Sequence, residues 1–327
     1  DFDPRGGPNV IRVTDFAPAD PTCTLANPCA QASFTGGDTF TSTTPRVALE
    51  WQARDNAMFY LAASQGFKAG GTNDSVADIN TPFQPEEVWN YEFGTRLQSE
   101  DGRIRANLTA FTMDYTDKQL TVTTSPICAR RCTTNVGAAK ISGIEVEAIA
   151  LLTDSLRMNL GYGKLNAEWD DIQNASAGVE EDSPFSRAPD DSLTLGLRHN
   201  MSLDSGASIV SSVNYAYKSE QESSGQDSTT LTIPAYDLVT ARLAYVSPDG
   251  NWEASLFCRN CMDEEHITGG AAWAGGTANS QFDFKEDDHP AYNGTTVLDP
   301  AGNAPPAITL VNVGAPRMLG LDFTYNF

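Results

Sequence analysis

The sequence has no run of about 18 or more apolar residues, so it carries no transmembrane helix. It is poor in positive charge. Lysine and arginine number 21 against 43 aspartates and glutamates, a net charge of −22. Phosphate binding needs a basic face, so a nucleic-acid partner is excluded. Three histidines occur, His199, His266 and His289, in unrelated contexts. There is no Ser-His-Asp set, no phosphate-cradling loop and no catalytic carboxylate pair, so the chain does not read as an enzyme. No signal peptide is visible at Asp1-Phe2-Asp3-Pro4. The expectation is that a leader was removed or that the chain begins inside a longer one.

What is present is alternation. In the closing stretch Leu319, Leu321, Phe323, Tyr325 and Phe327 are apolar, and the residues between them, apart from Met318, are small or polar. A period of two means a strand with one greasy and one wet face. Such an aromatic strand, left exposed, is an aggregation hazard in a soluble protein; in an outer-membrane barrel it is the closing strand, with its apolar face in lipid. Phe323, Tyr325 and Phe327 are the closing signal. The same rhythm recurs from Val47 onward: Val47 to Trp51, Met58 to Phe67, Trp89 to Leu97, Arg103 toward Thr124, Ile144 to Ile149, Leu156 to Tyr162, Leu193 to Leu197, Ile209 to Tyr217, Val239 to Tyr245 and Trp252 to Phe257. With the last stretch this makes about eleven strands.

Their connections alternate between short Asp/Gly/Asn/Ser turns and long loops. Roughly 125–139 is read as a cysteine-bearing loop, 170–191 as an acidic loop, and a further long loop precedes the closing strand. Short turns on one rim and long loops on the other is the pattern of an outer-membrane barrel, with the short turns periplasmic. If the last strand ends on the periplasmic rim, an odd strand count places the first on the extracellular rim. The chain therefore reads as the C-terminal part of a longer protein. Residues 1–43 read as a long extracellular loop and 44–327 as half of a barrel. Asn9 to Thr14 is too short for a twelfth spanning strand, which needs about nine to eleven residues.

Several segments resemble TonB-dependent receptors. These are Gly66-Phe67-Lys68-Ala69-Gly70-Gly71, Phe83-Gln84-Pro85-Glu86 running to Gly94, Phe111-Thr112-Met113-Asp114-Tyr115 running to Leu120, Asn135-Val136-Gly137 running to Glu147, and Asn260-Cys261-Met262-Asp263-Glu264-Glu265-His266. They occur in family order, and Phe327 matches too. The resemblance implies an all-β transmembrane antiparallel barrel of about 22 strands, of which this chain holds the C-terminal eleven or so, with the plug domain not in this chain. It implies outer-membrane uptake of a scarce nutrient (a siderophore, vitamin or oligosaccharide) in a Gram-negative bacterium, energised through TonB and a TonB box. The implied partners are outer-membrane lipid and lipopolysaccharide, the protein's own plug and other barrel half, the TonB complex, and a small-molecule or oligosaccharide ligand. The alternative is a receptor-like barrel serving as scaffold or adhesin without transport.

Candidate site residues follow from the faces. Glu92, Arg96, Glu145, Glu147, Arg157, Arg198 and Arg242 are charged residues opposite apolar ones, so they face the lumen and the plug, or are hydrated lumen charge. Arg130 and Arg131, framed by Cys128 and Cys132, present two guanidinium groups for ligand carboxylates. Trp169, Trp273 and Tyr292 lie in or beside long loops, as rings that stack on a ligand or belong to the interfacial girdle. The cysteines fall in three close pairs, Cys23/Cys29, Cys128/Cys132 and Cys258/Cys261, read as disulfides. The rival for the last pair is zinc with His266, but the second half of a zinc motif is missing, so no metal site is assigned. Asp170, Asp171, Glu180, Glu181, Asp182, Asp190 and Asp191, with Asp283, Glu286, Asp287, Asp288 and Asp299, read as Ca²⁺ ligands or as a solvated acidic face; no cofactor is otherwise expected.

Overall fold

The computed structural model describes residues 13–14, 33–34, 39–73, 82–122, 132–225, 231–273 and 308–326. Eleven strands form one antiparallel sheet: β1 Arg46–Arg54, β2 Ala57–Lys68, β3 Glu86–Gln98, β4 Ile104–Val122, β5 Cys132–Leu151, β6 Leu156–Ile172, β7 Asp191–Ser202, β8 Ser208–Lys218, β9 Tyr236–Val246, β10 Trp252–Arg259 and β11 Met318–Tyr325. Each pairs with its neighbours in sequence, so the sheet is a meander. Among the described residues β1 pairs with β2 alone and β11 with β10 alone, so the sheet stays open. Because nine strands, each antiparallel to its neighbours, lie between them, the two edge strands run in the same direction.

The register explains why one face is apolar. Trp51, Phe59, Thr95, Leu108, Val146, Tyr162, Leu193 and Tyr217 are successive partners across β1 to β8. Leu243, Leu256 and Leu321 continue that face across β9 to β11. Yet this face is bare: Val47 is 71 % and Leu321 78 % exposed. A large apolar side chain left in water forfeits about 1.5–3 kcal/mol relative to burial. A sheet that shows so many of them outward is built for an apolar surrounding. No helix among the described residues is long and apolar enough to cross a membrane; the strands carry the apolar surface.

Two of the short turns share a local design. Ser99-Glu100-Asp101-Gly102 and Ser247-Pro248-Asp249-Gly250 both end in a glycine at positive φ, 69° and 71°, where a side chain is strained. In each the serine hydroxyl donates to the aspartate (2.5 Å in both), and a following backbone N–H donates to the same carboxylate (Arg103 3.0 Å, Asn251 3.2 Å). These bonds, the serine's first, hold the Asp101 and Asp249 carboxyls below the usual carboxylate range. A depressed folded pKa contributes stability above the unfolded value of about 3.9 and loses it as pH falls through the folded value. The thermal midpoint of the folded protein should therefore fall as pH drops below that range. The double substitution Asp101→Asn, Asp249→Asn should flatten part of the fall; an unchanged pH profile would show that the turns contribute nothing to it.

The structure corrects three boundaries. β5 begins at Cys132, so the loop expected over 125–139 gives way to strand from 132. β6 runs on to Ile172, so the acidic loop starts later than 170. The long connection before β11 is not loop throughout: Ile267–Trp273 pairs with Ile308–Val313 as a hairpin. Val13–Thr14 pairs with Ser33–Phe34 and not with the large sheet. β4, β5 and β6, at 19, 20 and 17 residues, are far longer than the roughly nine to eleven a membrane-spanning strand needs. Their extra length stands on the long-loop side as a ledge. There the side chains form a buried cluster of Val122, Cys132, Val136, Ala139, Trp169, Ala177 and Val179.

Candidate functional site

The polar face of the sheet carries the predicted charges, and the register groups them. Glu50, Tyr60, Gly94, Thr109, Glu145 and Gly163 form one row; Met58, Arg96, Asn107, Glu147 and Gly161 form the next. Arg157, Arg198, Ser212 and Arg242 form another, across β6 to β9. Glu92 lies on the same face and accepts from Asn90 Nδ2 at 2.6 Å. Glu147 accepts from Asn107 at 3.4 Å. Arg96 lies over the Tyr60 ring, 5.8 Å from its centroid, and Arg242 is ion-paired with Glu253. All seven predicted charges thus share the face opposite the apolar rows, with the acidic ones on β3 and β5 and most of the basic ones on β6 to β9.

This face also has a feature that single-strand reading misses. Three glycines each lie under an aromatic ring from the directly paired strand: Gly94 under Tyr60, Gly143 under Phe111 and Gly320 under Phe257. A Cβ at any of them would overlap the ring. With Gly94 bare, Tyr60 spans β3 and its hydroxyl reaches Thr109 Oγ1 at 3.1 Å, tying β2 to β4. The ring covers backbone that a glycine leaves unpacked, and it pins the register. The aromatics and glycines are visible in the sequence, but their pairing depends on register.

On the ledge, Glu86 is buried and its carboxylate accepts the Gln119 backbone N–H at 2.7 Å. Lys118 and Lys68 approach the same carboxylate at 3.8 and 3.9 Å, and Lys118 lies over the Tyr115 ring at 4.2 Å. Gln119 Nε2 donates to the carbonyls of Ala69 and Gln84, and Asn135 donates to those of Gln84 and Asp117. These bonds fasten the segment before β3 to the tops of β4 and β5. Two irregularities make room for it. The β4–β5 register shifts between Tyr115 and Gln119, with Asp117 at φ 51°.

Trp169 is not a ligand-facing ring. It is 6 % exposed and stacked on Phe185 at 4.8 Å, so its faces are spent on the ledge core. The residues from 173 fold back over β6 to supply Val179 and Phe185. Below them a cavity of about 170 Å³ is lined by Leu165, Ala167, Phe185, Asp190, Glu220 and Glu222, among others. Trp273 ends the first strand of the 267–313 hairpin. Arg130, Arg131, Tyr292, Cys23, Cys29, Cys128 and Phe327 lie outside the described residues.

Cys258 and Cys261 form a disulfide, which removes them as zinc thiolates. His266 instead stacks on Tyr236 at 4.9 Å, with Nδ1 3.1 Å from the Glu264 carbonyl. The turn between them is set by Asn260, at φ 47°, whose amide donates to the carbonyls of Glu264 and Ala315. Cys132 is also disulfide-bonded. Among the described residues no group of three or more His, Cys, Asp or Glu is arranged to hold a metal ion.

Comparison with known proteins agrees with this architecture. The metal-pseudopaline receptor CntO of Pseudomonas aeruginosa is 30 % identical over 135 residues, which is 41 % of this chain and 18 % of that protein. The ferric yersiniabactin uptake receptor FyuA from Yersinia pestis superposes with a TM-score of 0.68 at 16 % identity, over 93 % of this chain and 40 % of that one. The ferric preacinetobactin receptor BauA from Acinetobacter baumannii does so with a TM-score of 0.58 at 17 % identity, over 93 % and 38 %. The chain thus spans well under half the length of these relatives. The model of the family described as TonB dependent receptor-like, beta-barrel, matches residues 14–261. With that match over most of its length, and an open meander whose apolar face is bare, the chain belongs to the TonB-dependent receptor-like β-barrel family.

Proposed function

We propose that this chain is the C-terminal half of an outer-membrane receptor barrel that takes up a scarce small molecule, energised through TonB. The observation that carries the reading is the sheet itself: an apolar face left bare, a charged face opposite it, and short turns and long loops on opposite rims. The edges add to it. β1 and β11 run in the same direction, so pairing them directly would make a parallel seam. A barrel with every seam antiparallel needs an odd number of further strands between them. In hydrocarbon the alternative is two rows of unpaired backbone groups, at several kcal/mol each. Relatives named for metal-pseudopaline and for ferric siderophore complexes make a metal chelate the favoured ligand class. The acidic 170–191 segment and the net charge of −22 favour a ligand that is not strongly anionic.

Two measurements test this. In intact cells producing the full-length receptor, a membrane-impermeant thiol reagent should label Ser224→Cys and leave Asp101→Cys and Asp249→Cys unlabelled. The opposite pattern would invert the topology. Deletion of the full gene should slow growth under metal limitation, and uptake should stop when the proton gradient is collapsed. Growth and uptake that are indifferent to both would favour a scaffold or adhesin.

A further inference from the structure

We propose that Arg187 is a clasp that joins the β6–β7, β8–β9 and β10–β11 connections into one body on the long-loop rim. Among the described residues the non-glycine residues at positive φ are Asp117, Arg187, Asn260 and Asp263. Aspartate and asparagine tolerate that conformation because their short polar side chains bond to nearby backbone. Arginine has no such outlet, so Arg187, at φ 54°, is held there against its preference. Its N–H donates to the Glu222 carbonyl at 2.8 Å, next to a backbone bridge between Ser186 and Glu222. Ser186 Oγ donates to the Ser223 carbonyl at 3.0 Å. Glu222 belongs to a short hairpin, Gln221–Glu222 against Thr232–Ile233, so the β8–β9 connection is attached. The side chain reaches the third connection. Arg187 Nη1 donates to the Thr268 carbonyl at 3.4 Å, and the guanidinium lies over Gly269, where a Cβ would stand 2.7 Å from Nη2. Thr268 Oγ1 donates to the Asn312 carbonyl at 3.1 Å, so both arms of the 267–313 hairpin are attached.

The partner that Arg187 takes is informative. It lies in a segment with Glu180, Glu181, Asp182, Asp190 and Asp191, yet among the described residues no ion pair is made at Arg187. A guanidinium free to swing among carboxylates gains a charge-assisted pair. This one is held instead on an uncharged carbonyl and a bare glycine of another connection. Joining the connections is what the strained conformation achieves. The same segment is anchored in the ledge. Phe185 stacks on Trp169 at 4.8 Å, and the Gln173 and Asn174 N–H groups donate to the Val136 carbonyl at 2.9 and 3.0 Å. Order in the ledge core therefore passes through Phe185 and Arg187 to Thr268, which is 81 positions from Arg187 in the chain. The clasp belongs to the rim and does not rest on what the barrel carries. In a receptor it makes this side of the mouth a single body, so that displacing one connection displaces all three.

The test is amide hydrogen exchange of the purified full-length protein, read in peptides that cover 221–223 and 267–270. In Arg187→Gly the glycine accepts positive φ without strain, so the bond to Glu222 stays and only the guanidinium is lost. Exchange at 267–270 should rise about tenfold or more, as for one hydrogen bond to a charged group, while 221–223 stays unchanged. Gly269→Ala displaces the same guanidinium from the opposite side and should give the same rise. The two changes together should be no worse than either alone, because both cut one contact. Phe185→Ala tests transmission by freeing the segment from Trp169. It should raise exchange at 267–270 in the wild-type background and lose most of that effect in the Arg187→Gly background. Heat-modifiable migration shows that each variant is folded; if Phe185→Ala does not fold, Phe185→Leu takes its place. Unchanged exchange at 267–270 in Arg187→Gly would overturn the clasp. A rise in Arg187→Gly, with a Phe185→Ala effect equal in both backgrounds, would reduce Arg187 to a local contact and overturn the single body.

Discussion

Leu256→Arg should abolish accumulation of folded receptor in the outer membrane, while Asn214→Arg should leave it at the wild-type level. Leu256 lies between Leu243 and Leu321 on the apolar face, and each of these neighbours is at least half exposed in the isolated sheet. An arginine there must sit in hydrocarbon, at a cost of about 2–4 kcal/mol near the bilayer midplane. Asn214 is on the other face, between Gly196 and Thr240, where a long charged side chain meets water. The measurement is heat-modifiable migration together with protease resistance of the membrane fraction. Equal damage from both substitutions, or tolerance of Leu256→Arg, would mean that the faces are assigned the wrong way round.

The second large effect is expected at Gly94. Gly94→Leu should lower the denaturant midpoint of the folded receptor, because its side chain must displace the Tyr60 ring and break the Tyr60–Thr109 hydrogen bond. Overpacking of this kind costs about 1–3 kcal/mol. If the loss comes from the ring, adding Tyr60→Ala should recover part of it, so that the pair is less damaging than the sum of the single changes. A strictly additive double variant would show that Gly94 is needed for its backbone alone. Gly320, under Phe257 at the β10–β11 seam, should behave in the same way.

How much of this was legible beforehand depends on the range of the forces involved. Alternation is a property of adjacent residues, so the eleven strands, their two faces and the placement of Glu145, Glu147, Arg198 and Arg242 on the face opposite the apolar rows could be read from the chain. So could the Ser-x-Asp-Gly turns, whose hydrogen bonds close within five residues. Trp169 could not. Its local setting, an aromatic before an acidic run, looks like a loop ring, and only the return of Phe185 across β6 buries it. The extra length of β5 was hidden for a similar reason. Residues 132–139 have no clean alternation, since the β4–β5 bulge breaks it, and they are held by β4 and by Asn73 and Asn174.

What the sequence by itself determined is therefore the set of strands, which side of each is apolar, and which connections are tight, because those are settled by neighbours one or two residues apart. What only the tertiary structure decided is who stands beside whom. The pairing of Arg157 with Arg198 and the seating of Tyr60 over Gly94 each bring together residues more than thirty positions apart. A shift of one of these strands by two residues would keep every face correct and break the pairing that strand carries. Register depends on the sum of many weak cross-strand contacts, and no single segment of the chain carries it.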